Sequence, residues 1–331
     1  MSNHHRTVHL QPFQTHFLIK NPHIQTILPK FIKQKQPHYQ RILKADSTGL
    51  AQVAYDFVYA DGTQPSLEQS LQRPLAVMFH GLEGDSDSHY AKCFVNEANA
   101  QGWDAVIVHY RGCGGVANPS PFDYNAGDTK ELHHVLQQLK QQYQDVYAAG
   151  VSLGGNMLAR YMGEYQDDVL CKAAVVVSAP VDLTTSAKAM HRFVAKRIYT
   201  PYLLKPLLVK ALQKIDDLQV LAQLKQAKTL DIFDDLYTAP RHGYGTGKDY
   251  YLKASALPVM KNIRKPTLVI TAIDDPFLGK IAQAQDVSEY VQLLYSPNGG
   301  HVGFMQYQNK RLNTDWLPQT IFRYFNAIKS S

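Results

Sequence analysis

Cysteine is scarce in this sequence, with three residues among 331: Cys93, Cys113 and Cys171. The count is odd, and no two of them have the C-x-x-C spacing. Disulfide scaffolds and thiolate metal sites need paired or closely spaced cysteines, so both are excluded as organising features. We expect three reduced, structural thiols.

Long apolar runs are also missing. The longest candidate, Ala173 to Val181, has the length of a strand, whereas a membrane-spanning helix needs about 18 or more apolar residues. Residues 1–10 contain His and Arg but no apolar core of a secretory signal. We therefore expect a soluble, cytoplasmic protein without a transmembrane segment.

Charge of neither sign dominates. The 34 Lys and Arg against 28 Asp and Glu give a formal net charge of +6. This mild excess permits an anionic partner without requiring one, and we expect no nucleic acid partner. Hydrophobic residues make up 45% of the chain, an ordinary globular composition that excludes disordered and collagen-like proteins.

Short β-branched runs alternate with longer helical patterns, which is typical of an α/β fold with a mostly parallel sheet and helices on both faces. The predicted central strands are Leu75–Phe79, Ala105–His109, Val146–Ala149, Ala174–Ser178, Thr267–Thr271 and Gln292–Tyr295. The predicted helices lie around Tyr90–Ala100, Asp128–Gln142 and Gly155–Tyr165. A further segment, Gln52–Val58, alternates polar and apolar residues and predicts a half-exposed, antiparallel edge strand.

The alternation stops between residues 184 and 264, which are mostly helical in pattern and contain no convincing strand. An insertion of this length between two sheet strands is typical of a cap or lid. We predict a core of residues 51–183 and 265–331 and a helical cap of residues 184–264. Residues 1–50 are rich in His, Gln and Pro and are predicted to form a surface arm.

The strongest local motif is Gly150-Val151-Ser152-Leu153-Gly154, which follows a predicted strand and precedes a predicted helix. This is the G-x-S-x-G nucleophile elbow in the context that the motif requires. A sharp strand-to-helix turn raises the serine hydroxyl above the sheet edge, which makes Ser152 the candidate nucleophile. The alternative is a glycine-rich helix N-terminus with a capping serine.

A nucleophilic serine needs a base and an acid, and in folds with this elbow the chain order is Ser, acid, His. The strand Thr267–Thr271 runs into Asp274 and Asp275, and His301 lies on a glycine-rich loop after the next strand. Of the 14 histidines, His301 has the required order and loop setting. Asp275 is the preferred acid and Asp274 is the alternative.

Two backbone amides are expected to bind the oxyanion of such a reaction. Leu153 directly follows the candidate nucleophile, and Leu82 lies in the loop after the strand Leu75–Phe79. We predict that the N–H groups of Leu82 and Leu153 form the oxyanion hole.

Motifs for cofactors and metals fail on their context. The G-x-G-x-x-A segment at 112–117 has dinucleotide-binding spacing, but Pro119 follows at once and leaves no helix N-terminus for a pyrophosphate. His133 and His134 are adjacent and lack the i, i+4 spacing of a zinc pair. We expect no cofactor and no metal.

The predicted cap is basic at its start. Between Leu183 and Ile215 there is no Asp or Glu, and apolar residues are interleaved with seven cations: Lys188, Arg192, Lys196, Arg197, Lys205, Lys210 and Lys214. A basic amphipathic segment can contact an anionic membrane. The alternative, which we favour, is an ordinary cap with solvated lysines. Both leave room for an apolar acyl pocket beneath the cap.

Six segments carry a resemblance to a known family: Asn21–Ile27, His80–Gly84, His109–Gly115, Gly150–Asn156, Asp274–Phe277 and Gly299–Phe304. Together they resemble the YheT-like α/β hydrolases, which are related to ABHD-type lipases and esterases. The resemblance implies an α/β-hydrolase fold and a serine hydrolase of carboxylic esters. It puts Ser152, Asp275 and His301 at the positions of the nucleophile, the acid and the base.

We therefore predict a serine esterase that acts on short- to medium-chain acyl esters or lipid-like esters through an acyl-enzyme. Acyl transfer, or hydrolysis of a thioester or amide by the same residues, is one alternative. A non-catalytic ligand-binding protein on the same scaffold is another. The role of Arg111 stays open between two alternatives: its loop braces the active site, or its side chain simply pairs with a carboxylate. The segment Asn21–Ile27 has no role assigned from the residues.

Overall fold

The central strands of the sheet carry side chains that are buried on both faces. In the described residues, 7–308 and 310–330 of a computed structural model, there are ten strands. They are β1 (Gln40–Ala45), β2 (Gln52–Val58), β3 (Leu75–Phe79), β4 (Asp104–Val108), β5 (Val146–Val151), β6 (Ala174–Val177), β7 (Thr267–Ala272), β8 (Val291–Ser296), β9 (Gln306–Gln308) and β10 (Arg311–Asn313). Eight form one sheet in the order β1-β2-β4-β3-β5-β6-β7-β8, and β9 and β10 form a hairpin. In the large sheet β2 is antiparallel to both neighbours, and the other paired strands are parallel.

Twelve α-helices surround the sheet in the part of the chain that the structure describes. They are α1 (Pro22–Ile27), α2 (Leu67–Gln72), α3 (His89–Ala100), α4 (Thr129–Lys140), α5 (Leu153–Tyr165), α6 (Leu183–Ala189), α7 (Thr200–Leu212), α8 (Leu218–Lys225), α9 (Leu230–Phe233), α10 (Ala239–Arg241), α11 (Gly247–Ala254) and α12 (Trp316–Lys329). Two π-helical turns, Ala195–Tyr199 and Asp234–Thr238, lead into α7 and α10. Among the described residues, no helix is both long enough and apolar enough to cross a membrane.

The hydrophobic core consists of two layers, one on each face of the sheet. Along β3, Val77 packs into the layer beneath α4 and α5, whereas Ala76 and Met78 pack into the layer beneath α3 and α12. All five residues of β3 are buried. Because a parallel strand is covered on both faces, it appears in the sequence as a continuous apolar run. The predicted parallel sheet with helices on both faces is confirmed.

One strand prediction is wrong in part. β2 spans Gln52–Val58 and is antiparallel as predicted, but it is not a half-exposed edge strand. β1 pairs along its outer side, from Gln40 opposite Phe57 to Ala45 opposite Gln52, and every residue of β2 except Gln52 is buried. β1 lies within residues 1–50, so part of the predicted surface arm is a strand of the sheet.

The chain between β6 and β7 is fully described and contains α6 to α11 but no strand. These helices lie between the strand after the candidate nucleophile and the strand before the candidate acid. We call them the cap. The exact division into arm, core and cap stays a prediction.

Candidate active site

Ser152 stands at a tight turn between β5 and α5. Its backbone has φ 53° and ψ −119°, a region that residues with a side chain rarely occupy. The turn is held by the Ser152 N–H, which donates to Val177 O at 2.9 Å. A Cβ added to Gly150 would lie 2.4 Å from Gly154 O, and one added to Gly154 would lie 2.4 Å from Phe79 O. Both glycines are therefore required by close backbone packing.

His301 lies on the loop after β8 and connects the serine to a carboxylate. Its Nε2 is 2.9 Å from Ser152 Oγ, and its Nδ1 is 2.9 Å from Asp275 Oδ2 and 3.2 Å from Oδ1. Asp275 is buried and its Oδ1 accepts the Phe277 N–H at 2.8 Å. The Phe277 ring stacks on the imidazole, with centroids 4.0 Å apart and planes 13° apart. The structure thus brings three predicted site residues into one hydrogen-bonded line.

Asp274, the alternative acid, lies elsewhere. Its carboxylate accepts the Gly300 N–H at 3.0 Å and the Asn298 side-chain amide at 3.5 Å. Burial raises the pKa of the Asp274 carboxyl. This residue therefore holds the backbone of the histidine loop, whereas Asp275 contacts the imidazole.

The predicted oxyanion donors are Leu82, on the loop after β3, and Leu153, which begins α5 directly after the serine. A Cβ on Gly81 would be 3.2 Å from Ser152 Cβ, so the loop after β3 rests against the nucleophile. The N–H groups on either side of Leu82 are occupied, because Gly81 N–H donates to Tyr90 Oη at 3.1 Å and Glu83 N–H to Tyr124 Oη at 2.9 Å.

Among the described residues, neither the Leu82 N–H nor the Leu153 N–H has a hydrogen-bond acceptor. Leu153 is the first residue of α5, and such an N–H has no intrahelical acceptor. Both groups are therefore free to donate to a substrate atom.

Burial disfavours positive charge on two other histidines, His80 and His89. Burial lowers the pKa of His80 to about 3 and that of His89 to about 4. The Nε2 atoms of both rings are buried without a hydrogen-bond partner in the described chain. The hydrogen bond to Ser152 Oγ is made by His301.

A cavity of about 700 Å³ opens above Ser152 and His301, between the core and the cap. Volumes of roughly 300–1,000 Å³ are typical of sites for small organic ligands. Sequence reasoning expected an apolar pocket but did not identify its residues. The cap contributes apolar side chains to the wall, among them Met190, Leu203, Leu207 and Phe233. Thr26, Ile27, Lys30 and Phe31 from the N-terminal part also line it.

Two of the seven cap cations face the core. Lys210 Nζ lies 2.6 Å from Glu83 Oε2, and Lys214 Nζ lies 2.7 Å from Asp123 Oδ1. The expectation of solvated lysines is therefore wrong for these two, because acidic residues on the core pair with them. The other five are exposed: Lys188, Arg192, Lys196, Arg197 and Lys205.

Arg111, whose role the sequence left open between bracing the active site and pairing with a carboxylate, is buried in an ion cluster. Its guanidinium lies 2.8 Å from both Asp46 and Glu131 and also pairs with Asp128. Burial raises the pKa of the Asp128 carboxyl to about 6. Arg111 therefore pairs with three carboxylates, and its side chain links the turn after β1 to the start of α4.

Metal-binding chemistry has no support in the described ranges 7–308 and 310–330, where no group of three or more His, Cys, Asp or Glu residues could hold an ion. The cysteines Cys93, Cys113 and Cys171 are free and buried.

Comparison with known proteins decides the family. A family model described as the alpha/beta hydrolase fold matches residues 74–307. The chain is 37% identical over 298 residues to the protein YheT of Escherichia coli (strain K12), an alignment that covers 86% of this chain and 84% of YheT. The chain belongs to the α/β hydrolase family. The resemblance stated from the sequence and the predicted fold class are both confirmed.

Other members of the α/β hydrolase family agree with this result. The chain is 29% identical over 286 residues to the monoacylglycerol lipase of Saccharomyces cerevisiae, over 82% of this chain and 63% of the lipase. The solved esterase Pf2001 of Pyrococcus furiosus superimposes with a TM-score of 0.56 at 11% identity, over 97% of this chain and 98% of the esterase. At that identity the solved structure shows the fold alone. The prediction that the chain is an enzyme of the esterase and lipase type is confirmed.

Proposed function

We propose that this α/β hydrolase cleaves carboxylic esters with Ser152 as nucleophile, His301 as general base and Asp275 as the acid that orients it. The observation that carries the proposal is the 2.9 Å contact between Ser152 Oγ and His301 Nε2. An imidazole in this position can take the hydroxyl proton as the oxygen attacks a carbonyl carbon. Asp275, at 2.9 Å from Nδ1, favours the tautomer with the proton on Nδ1 and stabilises the imidazolium.

The reaction proceeds in two halves. Ser152 Oγ bonds to the ester carbonyl carbon as its proton passes to His301 Nε2, and the carbonyl oxygen becomes an oxyanion that accepts from Leu82 N–H and Leu153 N–H. The carbon–oxygen bond to the alcohol breaks as His301 returns the proton to the leaving oxygen. Water then attacks the acyl-enzyme, gives its proton to His301, and the acid is released as Ser152 Oγ is reprotonated.

The proposed substrates are esters of short- to medium-chain acids or lipid-like esters. The cavity above the serine is about 700 Å³, and aliphatic and aromatic cap residues contribute to its wall. An acyl chain of this kind would be stabilised by removal of its apolar surface from water. The lipase relative of Saccharomyces cerevisiae, named for monoacylglycerol, supports a lipid-like ester.

Acyl transfer to an alcohol is a second candidate for the same acyl-enzyme. A relative from Saccharomyces cerevisiae is named medium-chain fatty acid ethyl ester synthase/esterase 2, and it is 28% identical over 285 residues, 77% of this chain and 62% of that protein. The two reactions differ in whether water or an alcohol attacks the acyl carbonyl. Product analysis with ethanol added to the assay distinguishes a new ester from the free acid.

A cytoplasmic location stays a prediction, and membrane contact through the cap stays the less favoured alternative to an ordinary cap. Five cap cations are exposed, and Phe193, Ile198 and Tyr202 in the same stretch of the cap are also exposed. Basic and apolar side chains together favour contact with anionic lipid. Co-sedimentation with phosphatidylglycerol vesicles, compared with phosphatidylcholine vesicles, tests this contact.

The deciding experiment is the reaction of Ser152 with a fluorophosphonate, followed by intact-mass analysis. The wild type is expected to gain one adduct, and Ser152→Ala none. Ester turnover should fall to background in Ser152→Ala while its circular dichroism spectrum stays unchanged. Full ester turnover by a folded Ser152→Ala protein, or no adduct on the wild type, would overturn the proposal.

A further inference from the structure

The helix α1, which contains most of the segment Asn21–Ile27, packs directly on the loop that carries His301. A Cβ added to Gly303 would lie 1.7 Å from Gln25 O, and one added to Gly300 would lie 2.5 Å from Pro22 O. Such distances leave no space for a side chain at either glycine. The loop and the helix therefore meet backbone to backbone.

Thr26 binds the histidine itself. Its Oγ1 donates to Pro22 O at 2.7 Å and accepts the His301 N–H at 2.9 Å. Because the hydroxyl proton is directed to Pro22, the oxygen presents a lone pair to His301. The contact joins two residues 275 positions apart in the chain.

Gln25 binds both backbone groups of Met305, four residues after the histidine. Its Nε2 donates to Met305 O at 3.0 Å, and its Oε1 accepts the Met305 N–H at 2.7 Å. Nε2 also donates to Ile19 O at 2.9 Å. Gln25 is fully buried, so these bonds are shielded from water and the loop is held at both ends of its turn.

The histidine loop needs such external support. Val302 and Phe304 have φ angles of 63° and 40°, in the left-handed region that is costly for residues with a branched or bulky side chain. A conformation of this kind persists when surrounding contacts impose it. Ser178 Oγ accepts the Val302 N–H at 3.2 Å from the core side, and α1 binds the opposite side of the loop.

We propose that Thr26 and Gln25 are positioning residues for catalysis, which hold the strained loop so that His301 Nε2 stays within hydrogen-bond distance of Ser152. The inference rests on the proposed function. A displacement of about 1 Å in a reacting group can reduce a rate by roughly 10²-fold. Loss of the Thr26 hydrogen bond should therefore reduce kcat more than it changes KM, because the bond is made to the base, and a side chain of the same shape leaves the cavity wall unchanged.

The test compares Thr26→Val with Thr26→Ser by steady-state kinetics on a short-chain p-nitrophenyl ester. Valine keeps the shape but removes the acceptor for His301 N–H, so kcat should fall by roughly 10-fold to 10²-fold. Serine keeps the hydroxyl and should restore kcat to near the wild-type value. Gln34→Met is the matched control, because Gln34 links the same N-terminal part to Thr314 at 3.2 Å without contacting the histidine loop, and its kinetics should match the wild type.

The pH dependence of kcat/KM provides a readout that a merely structural role would not change. We expect the midpoint of the acidic limb of the kcat/KM profile to lie at a different pH in Thr26→Val than in the wild type. In Thr26→Ser and Gln34→Met it should stay at the wild-type pH. If Thr26→Val does not fold, Thr26→Ala replaces it in the comparison with the wild type and Thr26→Ser. Equal kcat in wild type and Thr26→Val, or an equal loss in the serine and valine variants, would overturn the inference. An inactive wild type would instead overturn the proposed function.

Discussion

Lys210 of the cap helix α7 donates to the Glu83 carboxylate at 2.6 Å, and Glu83 directly follows Leu82. Glu83 has a φ of 53°, which is unfavourable for a residue with a side chain. Its second carboxylate oxygen accepts from Tyr124 Oη at 2.8 Å, and the same hydroxyl oxygen accepts the Glu83 N–H at 2.9 Å. The cap and the core together brace the loop that presents one of the candidate oxyanion donors.

Removing the ion pair between Lys210 and Glu83 should reduce kcat. In Lys210→Met we expect kcat to fall, but by less than the roughly 10²-fold that loss of an oxyanion donor itself costs, because Tyr124 still binds Glu83. Lys205→Met, an exposed cation on the same helix, should keep the wild-type kcat. Steady-state ester hydrolysis measures both. Wild-type turnover in Lys210→Met would show that the ion pair does not support the loop.

The two neighbouring carboxylates should differ sharply in their effect on rate. Asp275→Asn is expected to lower kcat by roughly 10⁴-fold, because an amide cannot stabilise the imidazolium and favours the wrong tautomer. Asp274→Asn should retain most of the activity, since its amide oxygen can still accept the Gly300 N–H. Stopped assays with a short-chain ester, supported by the rate of fluorophosphonate labelling, measure the two variants. The reverse order of losses would assign the acid to Asp274.

The pH dependence of stability should contain a contribution from His80. Burial lowers its pKa in the folded state to about 3, so as the pH falls the unfolded chain takes up the proton first. Protonation of His80 in the unfolded chain therefore makes the free energy of unfolding decrease progressively below about pH 6.5. Since one pKa unit corresponds to about 1.4 kcal/mol, the loss between pH 7 and pH 5 is about 2 kcal/mol.

Urea unfolding of His80→Gln at the two pH values tests this contribution. Whatever its overall stability, the variant should lose less free energy of unfolding between pH 7 and pH 5 than the wild type. His9→Gln, at an exposed position, should show the wild-type difference. An unchanged difference in His80→Gln would mean that folding does not lower the pKa of His80.

The parts of the fold that local pattern determines were predictable. β3 appears as an uninterrupted apolar run because both its faces are buried, and the elbow around Ser152 needs glycines at fixed spacing. β1 was not predicted because the apolar residues of Gln40–Ala45, which are Ile42, Leu43 and Ala45, do not alternate with polar ones. Its strand conformation depends on pairing with β2, which a local pattern does not report.

Contacts between distant segments could not be predicted from the residues alone. The order of serine, acid and histidine indicated which side chains would meet, since that order follows from the topology of the sheet. No comparable rule links Lys210 to Glu83, 127 residues apart, or Thr26 to His301, 275 residues apart. These contacts result from how the cap and the N-terminal part pack on the core.

Asn156 links the nucleophile helix to two other parts of the protein. Its side chain is fully buried in the first turn of α5. Nδ2 donates to Ala126 O at 3.0 Å and to Ala254 O at 2.9 Å, and Oδ1 accepts the Ala256 N–H at 3.0 Å. The side chain therefore satisfies backbone groups in the loop before α4 and at the end of the cap.

Replacing Asn156 with leucine should destabilise the protein strongly, because it keeps a similar volume but leaves these backbone groups without partners. Each unsatisfied buried group costs about 1–3 kcal/mol, so we expect the free energy of unfolding to fall by about 3 kcal/mol or more. Asn96→Leu removes a single hydrogen bond of 2.8 Å at an exposed site and should cost about 1 kcal/mol or less. Urea unfolding followed by circular dichroism compares the two. An equal loss of unfolding free energy in Asn156→Leu and Asn96→Leu would contradict this prediction. It would show that the buried hydrogen bonds of Asn156 stabilise the protein no more than one exposed hydrogen bond does.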